Sequence, residues 1–84
     1  MPRVITLRNP GIGQDFGRHL VSLRAARGWS QQELADAADL SKPTIYRIEK
    51  ATSSPTLDVL ASLAHALEIP VADLLRFTAQ VLPT

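Results

Sequence analysis

Apolar residues at Phe16, Leu20, Leu23 and Ala26 recur close to one helical turn apart, with mostly polar or small residues between them. Asp15 ahead of them suits a helix N-terminus and Gly28 behind them accepts the left-handed backbone of a helix end. The pattern therefore predicts a first helix over residues 15–27. Ser30-Gln31-Gln32-Glu33 has the form of a capping box, in which the Ser30 hydroxyl accepts from the backbone N–H of Glu33 while the Glu33 carboxylate reaches back to the N–H of Ser30. A second helix is predicted over residues 31–38, with Leu34, Ala35 and Ala38 inward. Asp39-Leu40 makes a short turn, and Ser41 caps a third helix over about residues 42–50, whose Pro43 sits in the first turn, where no intrahelical N–H is needed. Ile45, Ile48 and Glu49 fall on one side of that helix, and Lys42, Pro43, Tyr46, Arg47 and Lys50 on the other.

Residues 51–55 read as a loop, after which Thr56 caps a fourth helix over residues 57–68 with an apolar stripe of Leu57, Leu60, Ala61, Ala64 and Leu67. Pro70 opens a short fifth helix with Val71, Leu74 and Leu75 inward. The expectation is an all-α, five-helix domain over residues 15–77, with an N-terminal arm (1–14) and a C-terminal tail (78–84). Residues 4–7 and 78–82 are β-prone and either pair with something or lie loose.

Composition narrows the function. The 84 residues make one small domain, too short for a deep cleft between two subdomains, and a hydrophobic share of 45% argues against disorder. With no cysteine there is no disulfide framework, redox motif or thiolate zinc site, and a reducing cytoplasm is the natural setting. No apolar run approaches a membrane span, and the N-terminus lacks the apolar stretch of a signal peptide. The net charge of +1 is unevenly spread: residues 1–50 carry eight Lys/Arg against five acids, net +3, and residues 51–84 one arginine against three acids, net −2. That asymmetry is compatible with a basic face for nucleic acid on the first half.

Two short helices joined by a tight turn over residues 30–50, the second with a polar and basic outer face, have helix-turn-helix geometry. A helix so presented fits the major groove, about 12 Å wide, with its N-terminal residues at the base edges. Ser30-Gln31-Gln32-Glu33-Leu34-Ala35, the run from Leu40 to Lys50, and Pro55 and Leu57 together resemble the phage repressor and Cro-like (xenobiotic-response-element) family of DNA-binding domains across residues 15–77. The resemblance implies a homodimeric transcription regulator that binds double-stranded DNA at pseudo-palindromic operators. By position, Lys42, Pro43, Thr44 and Arg47 would face the bases, and Ser30, Gln31, Tyr46 and Lys50 the phosphates, with Gln31 also bracing a side chain of the recognition helix. Arg24 and Glu49 match a structural ion pair between helix one and the end of helix three. The chain departs from the family pattern at Asp39 and Ala51, where glycine is usual, and at Pro43, which offers only van der Waals contact.

Arg47 at the centre of the outer face is the first candidate for guanine O6/N7. Lys42 opposes the helix dipole where it stands, so it calls for another reason to be there. Trp29 reads as a core anchor between helices one and two. The surplus of apolar residues at Val71, Leu74, Leu75, Phe77, Val81 and Leu82 marks a dimer surface. Chemistry of other kinds finds little support. Gly11, Gly13 and Gly17 fall one residue out of register for a dinucleotide fingerprint, with no room for its βαβ unit. His19 and His65 lie on different helices without metal-ligand spacing, and no nucleophilic motif is present. The expected protein is a cytoplasmic DNA-binding regulator, not an enzyme, without cofactor or metal and with no separate effector domain. The rival is an antitoxin-type or other interaction module that neutralises or recruits a protein partner such as a toxin or polymerase.

Overall fold

The computed structural model describes residues 10–77, and these form five helices: α1 (Pro10–Ala26), α2 (Gln31–Ala38), α3 (Lys42–Glu49), α4 (Leu57–Leu67) and α5 (Val71–Leu74). The arm at residues 4–7, the tail at 78–82, and Val81 and Leu82 lie outside the described residues. Helix α1 begins at Pro10, five residues before the start read from the sequence, so residues 10–14 are helix and not arm. Proline is at home in a first turn, where its missing N–H costs nothing, but the run of glycines behind it masks the helical pattern. Gly17, in the middle of α1, has its own reason. A Cβ there would lie 2.5 Å from the Glu49 carbonyl oxygen and 2.9 Å from that of Ile48, so α1 and the end of α3 pack backbone to backbone.

The caps of α2 form as local chemistry dictates. Glu33 N–H donates to Ser30 Oγ at 3.0 Å, and Ser30 N–H donates to Glu33 Oε1 at 2.8 Å. Ser41 caps α3 through Thr44 N–H at 3.2 Å, and Thr56 caps α4 through Val59 N–H at 3.1 Å. Helices α1 to α4 all end in the same way. A six-residue N–H to C=O closure completes each one: Trp29 to Arg24, Leu40 to Ala35, Thr52 to Arg47 and Ile69 to Ala64. Each closure turns on one left-handed residue. That residue is glycine only after α1 (Gly28, φ 70°); after α2, α3 and α4 it is Asp39 (57°), Ala51 (61°) and Glu68 (59°).

The core joins Phe16 and Leu20 of α1, Leu34, Ala35 and Ala38 of α2, Ile45 and Ile48 of α3, Leu63, Ala64, Ala66 and Leu67 of α4, and Leu74 of α5. The α4 stripe differs from the one read from the sequence. Leu60, Leu63, Ala64 and Leu67 carry the packing, while Ala61 is exposed and Leu57 is 81% exposed. Leu57 is the first residue of its helix and stays at the surface, whereas Leu63 and Ala66 are buried in a helix that packs against α2 and α5. Ala26 is likewise exposed at the end of α1. Trp29 is only partly buried: it packs on the core rim with the Arg27 guanidinium 4.8 Å above its ring.

Candidate nucleic-acid interface

Helix α3 is held from behind. Arg24 of α1 donates from Nε to Glu49 Oε2 at 2.7 Å and from Nη2 to Glu49 Oε1 at 3.0 Å, in a two-pronged pair whose side chains keep only 17% and 4% of their surface. Gln31, at the first turn of α2, donates from Nε2 to the same Glu49 Oε1 at 2.8 Å, and Arg24 Nη1 donates to the Trp29 carbonyl at 2.9 Å. The hydrogen bond to Glu49 and the carboxylate's charge push the Arg24 pKa above the usual guanidinium value, against the smaller opposing effect of burial. One carboxylate at the end of α3 thus ties together α1, the start of α2 and α3. Two parallel bonds from a planar guanidinium also fix the rotation of α3 about its own axis.

The opposite face of α3 is open. Lys42, Pro43, Tyr46, Arg47 and Lys50 are all exposed, and Thr44 is half-buried. The Thr44 hydroxyl lies 2.8 Å from Ser41 Oγ, within the cap of the helix. The Lys50 ammonium stands 5.8 Å over the Tyr46 ring. Thr52 donates from Oγ1 to the Arg47 carbonyl at 3.2 Å and so closes the helix without engaging the Arg47 side chain.

Charge on the surface is sorted in a telling way. Arg18, Arg24, Arg27 and Arg76 are each ion-paired, with Asp15, Glu49, Glu68 and Asp73 respectively. Among the described residues the cations without an ion pair are Lys42, Arg47 and Lys50, and all three lie on α3 or its cap. Three polar side chains beside that face serve the fold: the hydroxyls of Ser30 and Ser41 cap helices, and one amide hydrogen of Gln31 goes to Glu49.

The apolar C-terminal residues divide. Leu74 has no exposed surface and belongs to the core, which removes it from the expected dimer surface. A helix of four residues makes about one turn, and Leu74 is the residue it spends on the interior. Phe77 is partly buried, its ring 5.8 Å from that of Phe16 and 5.4 Å from His19, whereas Val71 and Leu75 remain 39% and 44% exposed. Leu75 and Phe77 border an open groove with Ile12 and Leu60. Among the described residues no group of three His, Asp or Glu side chains is placed to hold a metal ion, and no helix is long and apolar enough to cross a membrane.

Two features of the site have no signal in the pattern of residues. Gly17 reads as part of a glycine run and shows its purpose only when α3 is laid against it. The shared use of Glu49 by Arg24 and Gln31 joins residues 25 and 18 positions apart, beyond the reach of any periodicity.

The helix-turn-helix family model matches residues 20–74. The chain is 43% identical over 51 residues to the HTH-type transcriptional regulator SutR of Escherichia coli, covering 61% of this chain and 29% of that protein. It is 34% identical over 59 residues to the cryptic phage CTXphi transcriptional repressor RstR of Vibrio cholerae, covering 70% and 53%. The chain therefore spans from under a third to about half the length of these relatives. Among solved structures it resembles the clp gene regulator ClgR of C. glutamicum, with a TM-score of 0.71, 34% identity and coverage of 80% and 87%. It also resembles the restriction-modification controller protein C.AhdI of Aeromonas hydrophila, with a TM-score of 0.72, 32% identity and coverage of 74% and 94%.

Proposed function

The chain belongs to the repressor- and Cro-like helix-turn-helix family, and from that premise we propose that it is a cytoplasmic transcription regulator that reads a pseudo-palindromic operator as a homodimer. The observation that carries this reading is the gathering of the unpaired cations, Lys42, Arg47 and Lys50, on the open side of one helix. In the major groove Arg47 takes guanine O6 and N7, and Lys42 a neighbouring acceptor. Tyr46 and Lys50, with Ser30 and Gln31 at the start of α2, face the flanking phosphates and set the register of α3 on the duplex. Since the Ser30 hydroxyl is committed to its cap, its end of α2 contributes mainly through free backbone N–H groups and the positive end of the helix dipole.

Homodimerisation uses the exposed Val71 and Leu75 and the rim of Phe77. Two copies then offer recognition helices about 34 Å apart, one turn of B-DNA. Selection of bound duplexes from a random library tests the reading. A winner with two inverted half-sites about ten base pairs apart, centre to centre, supports it. A winner without dyad symmetry overturns the dimeric part, and no enrichment at all overturns the reading as a whole.

A further inference from the structure

On that reading of α3, we propose that each half-site contains a pyrimidine with a 5-methyl group, within about two base pairs of the guanine bound by Arg47, and that Pro43 and Thr44 recognise that methyl group. The forward part of the open face offers carbon. Pro43, the second residue of α3, is exposed and has neither a side-chain donor nor a backbone N–H. Thr44 carries a hydroxyl, but its Oγ1 lies 2.8 Å from Ser41 Oγ while the Thr44 N–H is itself bound to that same Ser41 oxygen at 3.2 Å. With the hydroxyl held by the cap, the γ-methyl is the part of the Thr44 side chain that has no polar partner within α3. The rear part of the face offers the guanidinium of Arg47, which makes no ion pair.

The base edges have one apolar group in the major groove, the 5-methyl of thymine, and a methylated cytosine carries the same group in the same place. Polar base edges set against Pro43 would lose water without gaining a partner, which disfavours them. Spacing supplies the rest. Pro43 and Arg47 are four residues apart on one side of α3, about 6 Å along its axis, and base pairs are stacked about 3.4 Å apart. A helix lying along the groove crosses the duplex axis obliquely, so this separation is an upper limit on the rise between the two contacts, and the methyl and the guanine are no more than about two steps apart in the duplex.

The test uses the full chain and its selected duplex, with each thymine replaced in turn by deoxyuridine and each cytosine by 5-methylcytosine, and affinity read by fluorescence anisotropy. The expected result is one responsive pyrimidine per half-site, with a change of about three- to tenfold, the range for burying a single methyl. A response to deoxyuridine identifies thymine, and a gain on methylation identifies cytosine. Thr44→Ser keeps the cap hydroxyl and removes only the methyl, so it should cut the response to below about twofold. Pro43→Ala should weaken it in the same direction, while Arg47→Ala leaves the methyl response in place and loses the guanine preference. Absence of any methyl-sensitive position overturns the proposal while the regulator reading stands, as does a response that Thr44→Ser and Pro43→Ala leave unchanged. Equal binding to selected and random duplexes removes both.

Discussion

Replacing Gly17 with alanine adds a single methyl group, but to a place on α1 with no room for it. The new Cβ would sit 2.5 Å from the Glu49 carbonyl oxygen, 2.9 Å from the Ile48 carbonyl oxygen and 3.1 Å from the Glu49 carbonyl carbon, all of them backbone atoms that cannot rotate aside. Relief requires α1 and the end of α3 to move apart by several tenths of an ångström, which also stretches the bonds from Arg24 and Gln31 to the Glu49 carboxylate. Overpacking of this kind costs about 3 kcal/mol, and disturbing a buried pair adds to it. Alanine returns about 1 kcal/mol in helix propensity, so the net loss is about 2 kcal/mol or more. For a domain of this size that lowers Tm by about 8–16 °C. Urea unfolding followed by far-UV circular dichroism measures the loss, and Gly13→Ala supplies the control on the same helix. A Cβ at Gly13 would meet only the Ala51 Cβ, at 3.9 Å, so that variant should gain about 0.5–1 kcal/mol. A Gly17→Ala protein as stable as the parent would refute the close packing of α1 on α3, as would equal losses in the two variants.

Ala51 holds a left-handed backbone at φ 61°, and Ala51→Gly should raise stability by about 0.5–1 kcal/mol, the conformational relief less the added freedom of the unfolded chain. A drop in urea midpoint would show that the Ala51 Cβ contributes more by packing than its backbone costs. Glu49→Ala removes the acceptor for three hydrogen bonds and strands the largely buried Arg24, with an expected loss of about 3 kcal/mol in the same assay. Arg47→Ala should cost about 1–3 kcal/mol in binding to the selected duplex and leave Tm unchanged; equal losses on selected and random DNA would make Arg47 a phosphate contact. Leu75→Glu places a charge on the exposed apolar edge of α5 and should shift the sedimentation mass from dimer towards monomer, with operator affinity falling in step. An unchanged mass would move the dimer contact elsewhere.

How much of the fold the unfolded chain discloses depends on the range of the interactions involved. Helices α2 and α3 are legible to within a residue because Ser30, Glu33, Ser41 and Pro43 act on backbone groups no more than three positions away. The start of α1 is hidden because Pro10, Gly11 and Gly13 read as loop residues, and Pro10 opens a helix only because the chain from Gly11 to Ala26 continues it. The period misplaces the stripe on α4 because Leu57 fits a helical repeat yet stays at the surface, a fact of tertiary packing. Leu74 reads both as an inward residue of α5 and as part of a dimer surface because hydrophobicity shows that it wants burial and not against what, and the folded chain keeps only the first reading. At the site, the polar face of α3 is visible from its period alone. The pairing of Arg24 with Glu49 and the bracing of the recognition helix by Gln31 come from the family resemblance, whereas the choice of the same Glu49 carboxylate by Gln31, and Gly17 beneath it, come only from the folded chain.

The central claim is that the open face of α3 reads base sequence, and the ratio of affinities for the selected duplex and a scrambled duplex of the same composition tests it most directly. At about 150 mM salt the account predicts a ratio of at least about 10³. A ratio near one, with binding that fades steeply as salt rises, would mean that Lys42, Arg47 and Lys50 serve only as a phosphate-binding patch, and would contradict it.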